Sequence, residues 1–362
     1  MRAIHPVGLL AVLILAGCSG GDPAGQQVEV VAKVDGSLRD IEVGPDGTPR
    51  LLVDGAVWEV KGGTARKVDL GLTSAEQLAV AKDGTMYVSS GTGLWQVPPG
   101  GKAQQIVGNG QKGFTPDGQD ATGPAGPISG VALDQQGRVV YTESLTTGTG
   151  LNALVRRVEG GKIVTVAGTS ADGEQAADPP AGTKATSLAL TGGYYTTLAS
   201  GEDGTLFVNG KQSVLAIAPD GTVQASVAGR DPKAVKDAAS PFEPEGKATD
   251  AAPMLFGPDV PPNLSSEAGS LALSSWEQGT APPAAYRWTG EFTKGQQAIV
   301  DAVFGTENHS TTTWPRIRLV RKDGTITTAA WSARSAALRN GWLYLGISDP
   351  EKGVLVARVK VP

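Results

Sequence analysis

The chain has 362 residues, 40% of them hydrophobic and 19% charged, which supplies a core and excludes a charge-rich disordered chain. Fifty glycines and twenty-four prolines make up about a fifth of it, a proportion that points to many tight turns between short strands. The net charge of −5 argues against a general nucleic-acid partner, and one cysteine with two histidines excludes intramolecular disulfides and all but excludes a His- or Cys-rich metal centre.

Arg2 gives a short positive start, and residues 7–15 form an apolar run too short to span a bilayer as a stable helix. The run ends in Leu15-Ala16-Gly17-Cys18, and Cys18 is the sole cysteine of the chain. This tetrapeptide resembles a bacterial lipoprotein signal, which implies cleavage between Gly17 and Cys18 and acylation of the Cys18 thiol. Residues 1–17 then read as the signal peptide and residues 18–27 as an acylated cysteine with a Gly- and polar-rich tether. Residues 28–362 read as one folded domain, with no later apolar run long enough to cross a membrane.

Asp-Gly-Thr recurs at Asp46, Asp83, Asp203, Asp220 and Asp323, each time between apolar runs such as Leu78-Ala79-Val80-Ala81 and Met86-Tyr87-Val88. Asp-Gly in that setting marks a tight turn between antiparallel strands, because glycine accepts the positive φ the turn needs. A longer unit also repeats. Strands ending at Gly108, Gly168 and Gly229 are each followed by a polar stretch that carries Gly118-Gln119-Asp120-Ala121-Thr122, Gly182-Thr183-Lys184-Ala185-Thr186 or Gly246-Lys247-Ala248-Thr249. Arg316-Ile317-Arg318-Leu319-Val320, a turn, and the run from Thr325 to Trp331 form a degenerate fourth copy.

The stretch IVGNGQKGFTPDGQDATGPAGPISGVALDQQGRVVYTES with the following LVRRVEGGKIVTVAGT resembles the NHL repeat. That resemblance implies an all-β, six-bladed β-propeller with four antiparallel strands per blade. On this template blade one covers residues 38–70, with Trp58 on its third strand, and blade two covers 77–107, with Trp95 at the matching place. Blades three and four cover 130–167 and 196–228, and blade five covers 270–331 with an insertion near 276–296. The last blade has three strands, at 334–338, 342–347 and 354–359. The unpaired run at residues 28–34 is expected to complete it and so close the ring, which covers every blade face. A seventh blade stays open if residues 276–304 hold an extra half-blade.

Three long links, at residues 109–127, 169–197 and 230–269, lie between one blade and the next. The resemblance places them on one face, around the channel, where they either carry a binding surface or cap the ring. Their candidate binding residues are Asp117, Asp172, Tyr194, Tyr195, Asp231, Phe242 and Phe256. Trp276, Tyr286, Trp288 and Phe292 near the blade-five insertion are further aromatics, which either anchor an interface or stack on a sugar or, as the plainer reading, pack between blades.

Chemistry is sparse. After signal cleavage His309 is the remaining histidine, in a polar turn-like stretch, and no Gly-x-Ser-x-Gly elbow or phosphate loop is present. Catalytic residues and a resident cofactor are therefore not assigned. The expected function is a membrane-anchored extracytoplasmic propeller that binds or scaffolds an unknown envelope protein or small ligand without catalysis. The alternative is a calcium-dependent lactonase-like or quinoprotein dehydrogenase-like enzyme with its site in the channel. Asp40, Glu76, Asp134 and Glu202, near strand starts, are its possible ligands, although Asp134 and Glu202 read more plainly as turn residues.

Overall fold

The computed structural model describes residues 28–72, 74–148, 150–171, 173, 179–191, 196–209, 213–228, 246–247, 263–278, 313–331, 333–349 and 353–361. They form six small antiparallel sheets, ordered as the blades of a β-propeller. The first strand, β1 (Val28–Val34), stands apart from its chain neighbours. Blade one is β2 (Leu38–Val43), β3 (Pro49–Val53), β4 (Ala56–Lys61) and β5 (Thr64–Val68). Blade two is β6 (Gln77–Val80), β7 (Met86–Ser90), β8 (Gly93–Val97) and β9 (Gln104–Val107). Blade three is β10 (Ile128–Leu133), β11 (Val139–Thr147), β12 (Gly150–Glu159) and β13 (Lys162–Ala167), with β14 (Leu190–Thr191) paired to the upper end of β12. Blade four is β15 (Leu198–Ser200), β16 (Leu206–Asn209), β17 (Val214–Ile217) and β18 (Val223–Ala228). After the short β19 (Gly246–Lys247), blade five is β20 (Leu264–Glu267), β21 (Ser270–Gln278), β22 (Thr313–Val320) and β23 (Thr325–Trp331). Blade six is β24 (Ala333–Arg339), β25 (Trp342–Asp349), β26 (Gly353–Lys360) and, as its outer strand, β1.

The first strands of the blades touch in a closed cycle, β2–β6–β10–β15–β20–β24 and back to β2. Blade six therefore meets blades five and one directly, and the cycle leaves no place for a seventh blade. Closure is by β1, which runs antiparallel to β26 from Val28 opposite Val359 to Val34 opposite Val354. Glu29 reinforces the pair by receiving Arg358 Nε at 2.8 Å and Nη2 at 2.6 Å, while the Arg358 guanidinium sits 4.4 Å from the Trp342 ring centroid.

No single core exists. Six buried apolar clusters each fill one interface between blades, because a blade is a sheet with two apolar faces and must cover both. The cluster between blades six and one joins Ala32 and Val34 of β1 to Tyr344, Val354 and Val356 on one side and Leu38, Ile41 and Leu51 on the other. The Asp-Gly turns behave as read: the backbone N–H of Thr48, Thr85, Thr205 and Thr222 each donates to the carboxylate of the Asp two residues before it.

Blade five differs from the expected boundaries. It starts at Leu264 rather than 270, because Glu267, Ala268 and Gly269 form a hairpin turn in which Ala268 and Gly269 take positive φ. The third link is shorter by the same amount. The second strand runs to Gln278 and the third begins at Thr313, so the insertion falls after 278 rather than near 276–296. His309, Tyr286, Trp288 and Phe292 lie outside the described residues.

Deleting β1 would expose the outer edge of β26 and the apolar side chains that Ala32 and Val34 cover in the seam between blades six and one. We expect residues 35–362 to unfold at lower urea concentration, with a loss of at least about 2–4 kcal/mol, the worth of burying Val34 and Ala32. Amide hydrogen exchange should lose protection first along β26; unchanged protection there would show that the ring closes without β1.

Candidate functional site

The link-side ends of the inner strands carry buried polar groups around the ring: Asp40, Gln77, Ser129, Thr197, Asn263 and Ser335, one per blade. Asp40 is the charged member, 2% exposed. Its Oδ1 accepts the Ile41 N–H at 2.9 Å and the Asn263 Nδ2 at 2.7 Å, with the Ser335 hydroxyl at 3.4 Å. Its Oδ2 accepts the Leu78 N–H at 3.1 Å. One carboxylate thus receives donors from blades one, two, five and six. Asn263 extends the tie by accepting the Ala336 N–H at 3.0 Å, and the Ser335 hydroxyl accepts the Ile41 N–H at 3.2 Å. On the far side of the ring, the Ser129 and Thr142 hydroxyls both donate to the Thr196 carbonyl, at 2.9 and 2.8 Å, joining blades three and four.

Burial pushes Asp40 up to about 6 against the pull of its four donors. Glu42, two residues on, is pushed up to about 8 by burial and by the Asp40 charge, with Arg339 opposing. Burial thus biases both carboxyls of this stretch of β2 toward their neutral forms, Glu42 more than Asp40. Glu76 is raised by burial, with Arg39 opposing.

These groups do not fit a calcium centre. Calcium needs six or more oxygens with free lone pairs, whereas both Asp40 oxygens already face N–H donors whose hydrogens would repel a cation. Asp134 takes the plainer of its two readings: it accepts the Gln136 and Arg138 N–H groups and pairs with Arg138 Nε at 2.7 Å. Glu202 is exposed in a turn. Among the described residues no three His, Cys, Asp or Glu side chains gather closely enough to hold a metal ion.

The recurring Gly-x-x-Ala motif, shortened to Gly-x-Ala at Gly246-Lys247-Ala248, has a structural task. Along the first link, Gly118 and Ala121 donate to the Ile163 and Gly161 carbonyls, and Ile163 donates back to Gln119. The second link repeats this: Gly182 and Ala185 donate to Val223 and Gly221, and Val223 donates to Thr183. In the third link, β19 pairs Gly246 with Ile326 and Lys247 with Thr325. Each motif therefore caps the outer strand of the next blade, covering an edge that would otherwise be open. It also ties back to the blade before, since Gly108 N donates to Ala121 O and Gly168 N to Ala185 O, both at 2.9 Å. Both glycines are required: φ is +81° and +88°, and a Cβ would lie 2.2 Å from the Thr92 carbonyl oxygen or 2.4 Å from that of Ala153.

Asp117, named from sequence as a binding residue, lies in the first link. It accepts the Thr165 N–H at 2.9 Å, the Thr165 hydroxyl at 2.8 Å and Arg156 Nη2 at 3.2 Å. Arg156 is fully buried and also donates to Glu143 at 3.1 Å and to the Thr115 carbonyl at 2.5 Å. Glu143 in turn accepts the Gly126 N–H at 2.7 Å. This network pins the first link onto blade three. In sequence Arg156-Arg157 gives no sign of it: residues 152–156 are buried in one unbroken run of β12, so no alternation sets Arg156 apart. Gly17, Cys18, Asp172, Tyr194, Tyr195, Asp231, Phe242 and Phe256 lie outside the described residues.

No protein-family model and no curated protein matches the sequence. Solved structures match in fold. A structural-genomics protein of unknown function from Bacteroides thetaiotaomicron superposes with a TM-score of 0.56 at 13% identity, over 93% of this chain and 76% of that one. A putative gluconolactonase does so with a TM-score of 0.53 at 11% identity, over 93% of both chains. An auxiliary nutrient binding protein from Bacteroides ovatus gives a TM-score of 0.50 at 12% identity, over 90% of this chain and 69% of that one. At such identities the likeness concerns the propeller fold alone.

Two outcomes test the hub. Asp40→Ala leaves the Leu78 N–H and the Asn263 amide without acceptors and should cost about 2–5 kcal/mol in urea unfolding. Asp40 and Glu42 bind protons more readily folded than unfolded, so their contribution is full below their ordinary values of 3.8 and 4.5. It is lost as pH rises through about 6 for Asp40 and about 8 for Glu42. The urea midpoint should fall from pH 5 to pH 9, and Glu42→Gln should flatten the upper part of that fall. A midpoint of Glu42→Gln that tracks the parent across the range would remove Glu42 from the account.

Proposed function

We propose that this protein is a lipid-anchored, extracytoplasmic β-propeller that acts as a non-catalytic binding or scaffold module for an envelope protein or small ligand. The observation that supports the non-catalytic reading is the engagement of Asp40: both oxygens of this buried carboxylate accept donors, and together they brace four blades. The anchoring half rests on the apolar run and Leu15-Ala16-Gly17-Cys18 in a chain with one cysteine. Acyl chains on Cys18 contribute about 0.8 kcal/mol per buried methylene, so two or three hold a protein stably at a bilayer. Nine residues, 19–27, then separate the anchor from the first closing strand. A ring whose polar annulus is internally bonded offers its surroundings the link face, so binding is expected there.

Expression in a bacterial host with labelled palmitate tests the anchor. The parent should take up label and sediment with membranes, and Cys18→Ala should do neither. Equal fractionation of the two without label in either removes the anchor. Assay against lactones and sugars with an added quinone and electron acceptor, with and without calcium, should show no turnover; calcium-dependent turnover would replace the binding reading with an enzyme.

A further inference from the structure

We infer that the groove between the first two links binds a neutral saccharide, with Phe114 as the stacking platform. This deepens the binding-module reading and rests on it. The groove is a cleft of about 310 Å³ over blade three, formed where the first link, β12, β13 and two stretches of the second link, at Thr169-Ser170 and at Thr186, meet.

Phe114 is the large apolar side chain that stays exposed among the described residues, at 39%. Its position is fixed. The Arg156 guanidinium lies over the ring, 4.8 Å from its centroid, and Arg156 itself is fully buried and bonded on both terminal nitrogens. One face of the ring is therefore occupied from below and its orientation is set before any ligand arrives. An aromatic platform held this way suits the C–H face of a pyranose, which is flat, apolar and unable to fill a deep pocket.

The walls match the rest of such a ligand. Thr165, Thr169, Ser170 and Thr186 place four hydroxyls around the cleft. Those of Ser170 and Thr186 have no hydrogen-bond partner among the described residues. Asp117 lines the same cleft with a half-exposed carboxylate that accepts from Thr165 and Arg156 on its inner side. Two carboxylates, Asp117 and Glu143, surround the single Arg156 charge, and among the described residues no lysine, arginine or histidine lines the groove. Phosphate or uronate ligands would find no counter-charge there. A ligand with hydroxyls on its rim, an apolar face and no charge satisfies every wall.

The test uses the full acylated chain in detergent micelles on an array of neutral gluco-, manno- and galacto-configured oligosaccharides and their uronate counterparts, followed by titration calorimetry. A neutral oligosaccharide should bind saturably and more tightly than its uronate. Phe114→Ala should weaken binding about two- to tenfold, and Phe114→Trp should hold or strengthen it. Because Phe114 also covers Arg156, Thr186→Ala is the second variant: it should weaken binding at least twofold with an unchanged melting temperature. Absence of neutral-sugar binding at millimolar concentration, preference for the uronates, or parental affinity in both Phe114→Ala and Thr186→Ala overturns the inference. If the parent is acylated and membrane-retained yet binds no sugar, the groove assignment fails alone. If sugar binds but no acyl chain is found on Cys18, the anchor fails alone.

Discussion

The architecture depends on bringing inner strands from blades that are far apart in sequence to one axis, and Asp40 is the group that fastens them. A buried carboxylate is costly in a low-dielectric interior unless its lone pairs are met. Here they are met by donors from residues 41, 78, 263 and 335, so the charge is tolerable only when four blades are in register. That makes it a specificity device as much as a stabilising one: a ring with one blade misplaced would bury an uncompensated charge. The hydroxyl pair Ser129 and Thr142 does the equivalent for blades three and four without charge.

The apolar term is divided differently. Six separate clusters fill six interfaces, and none extends across the axis. Each blade is stable only when sandwiched, which is why the ring must close and why β1 matters out of proportion to its seven residues. The outer edges are handled in two ways. Blades three, four and five carry link segments along their last strands, whereas blade one ends in the exposed, basic Thr64–Val68.

Much of this was legible in the sequence. The Asp-Gly-Thr turns, the Gly-x-x-Ala units and the spare strand at residues 28–34 each have a local signal that follows from backbone geometry, and together they specify six blades. The start of blade five has no such signal, because its first turn is Glu267-Ala268-Gly269, which lacks the Asp-Gly pattern. Asp40 and Arg156 act through partners tens to hundreds of residues away, and a carboxylate near a strand start looks the same in sequence whether it binds an ion or four amides. Asp117 was picked out for its place in a long link, and its bonds to Thr165 and Arg156 hold that link down as well as shaping the groove.

The pairing of β1 with β26 places Val28 directly opposite Val359, so the segment that precedes Val28 enters the ring at its seam. Any pull through that segment is borne first by the rungs at Val28 and Glu29, where the Arg358 ion pair is the second rung met. Mechanical load and ring integrity thus share one ladder of hydrogen bonds: a tug strong enough to peel that ladder would strip the closing strand from blade six and leave the seam to the contacts of β2 with β24 and β25.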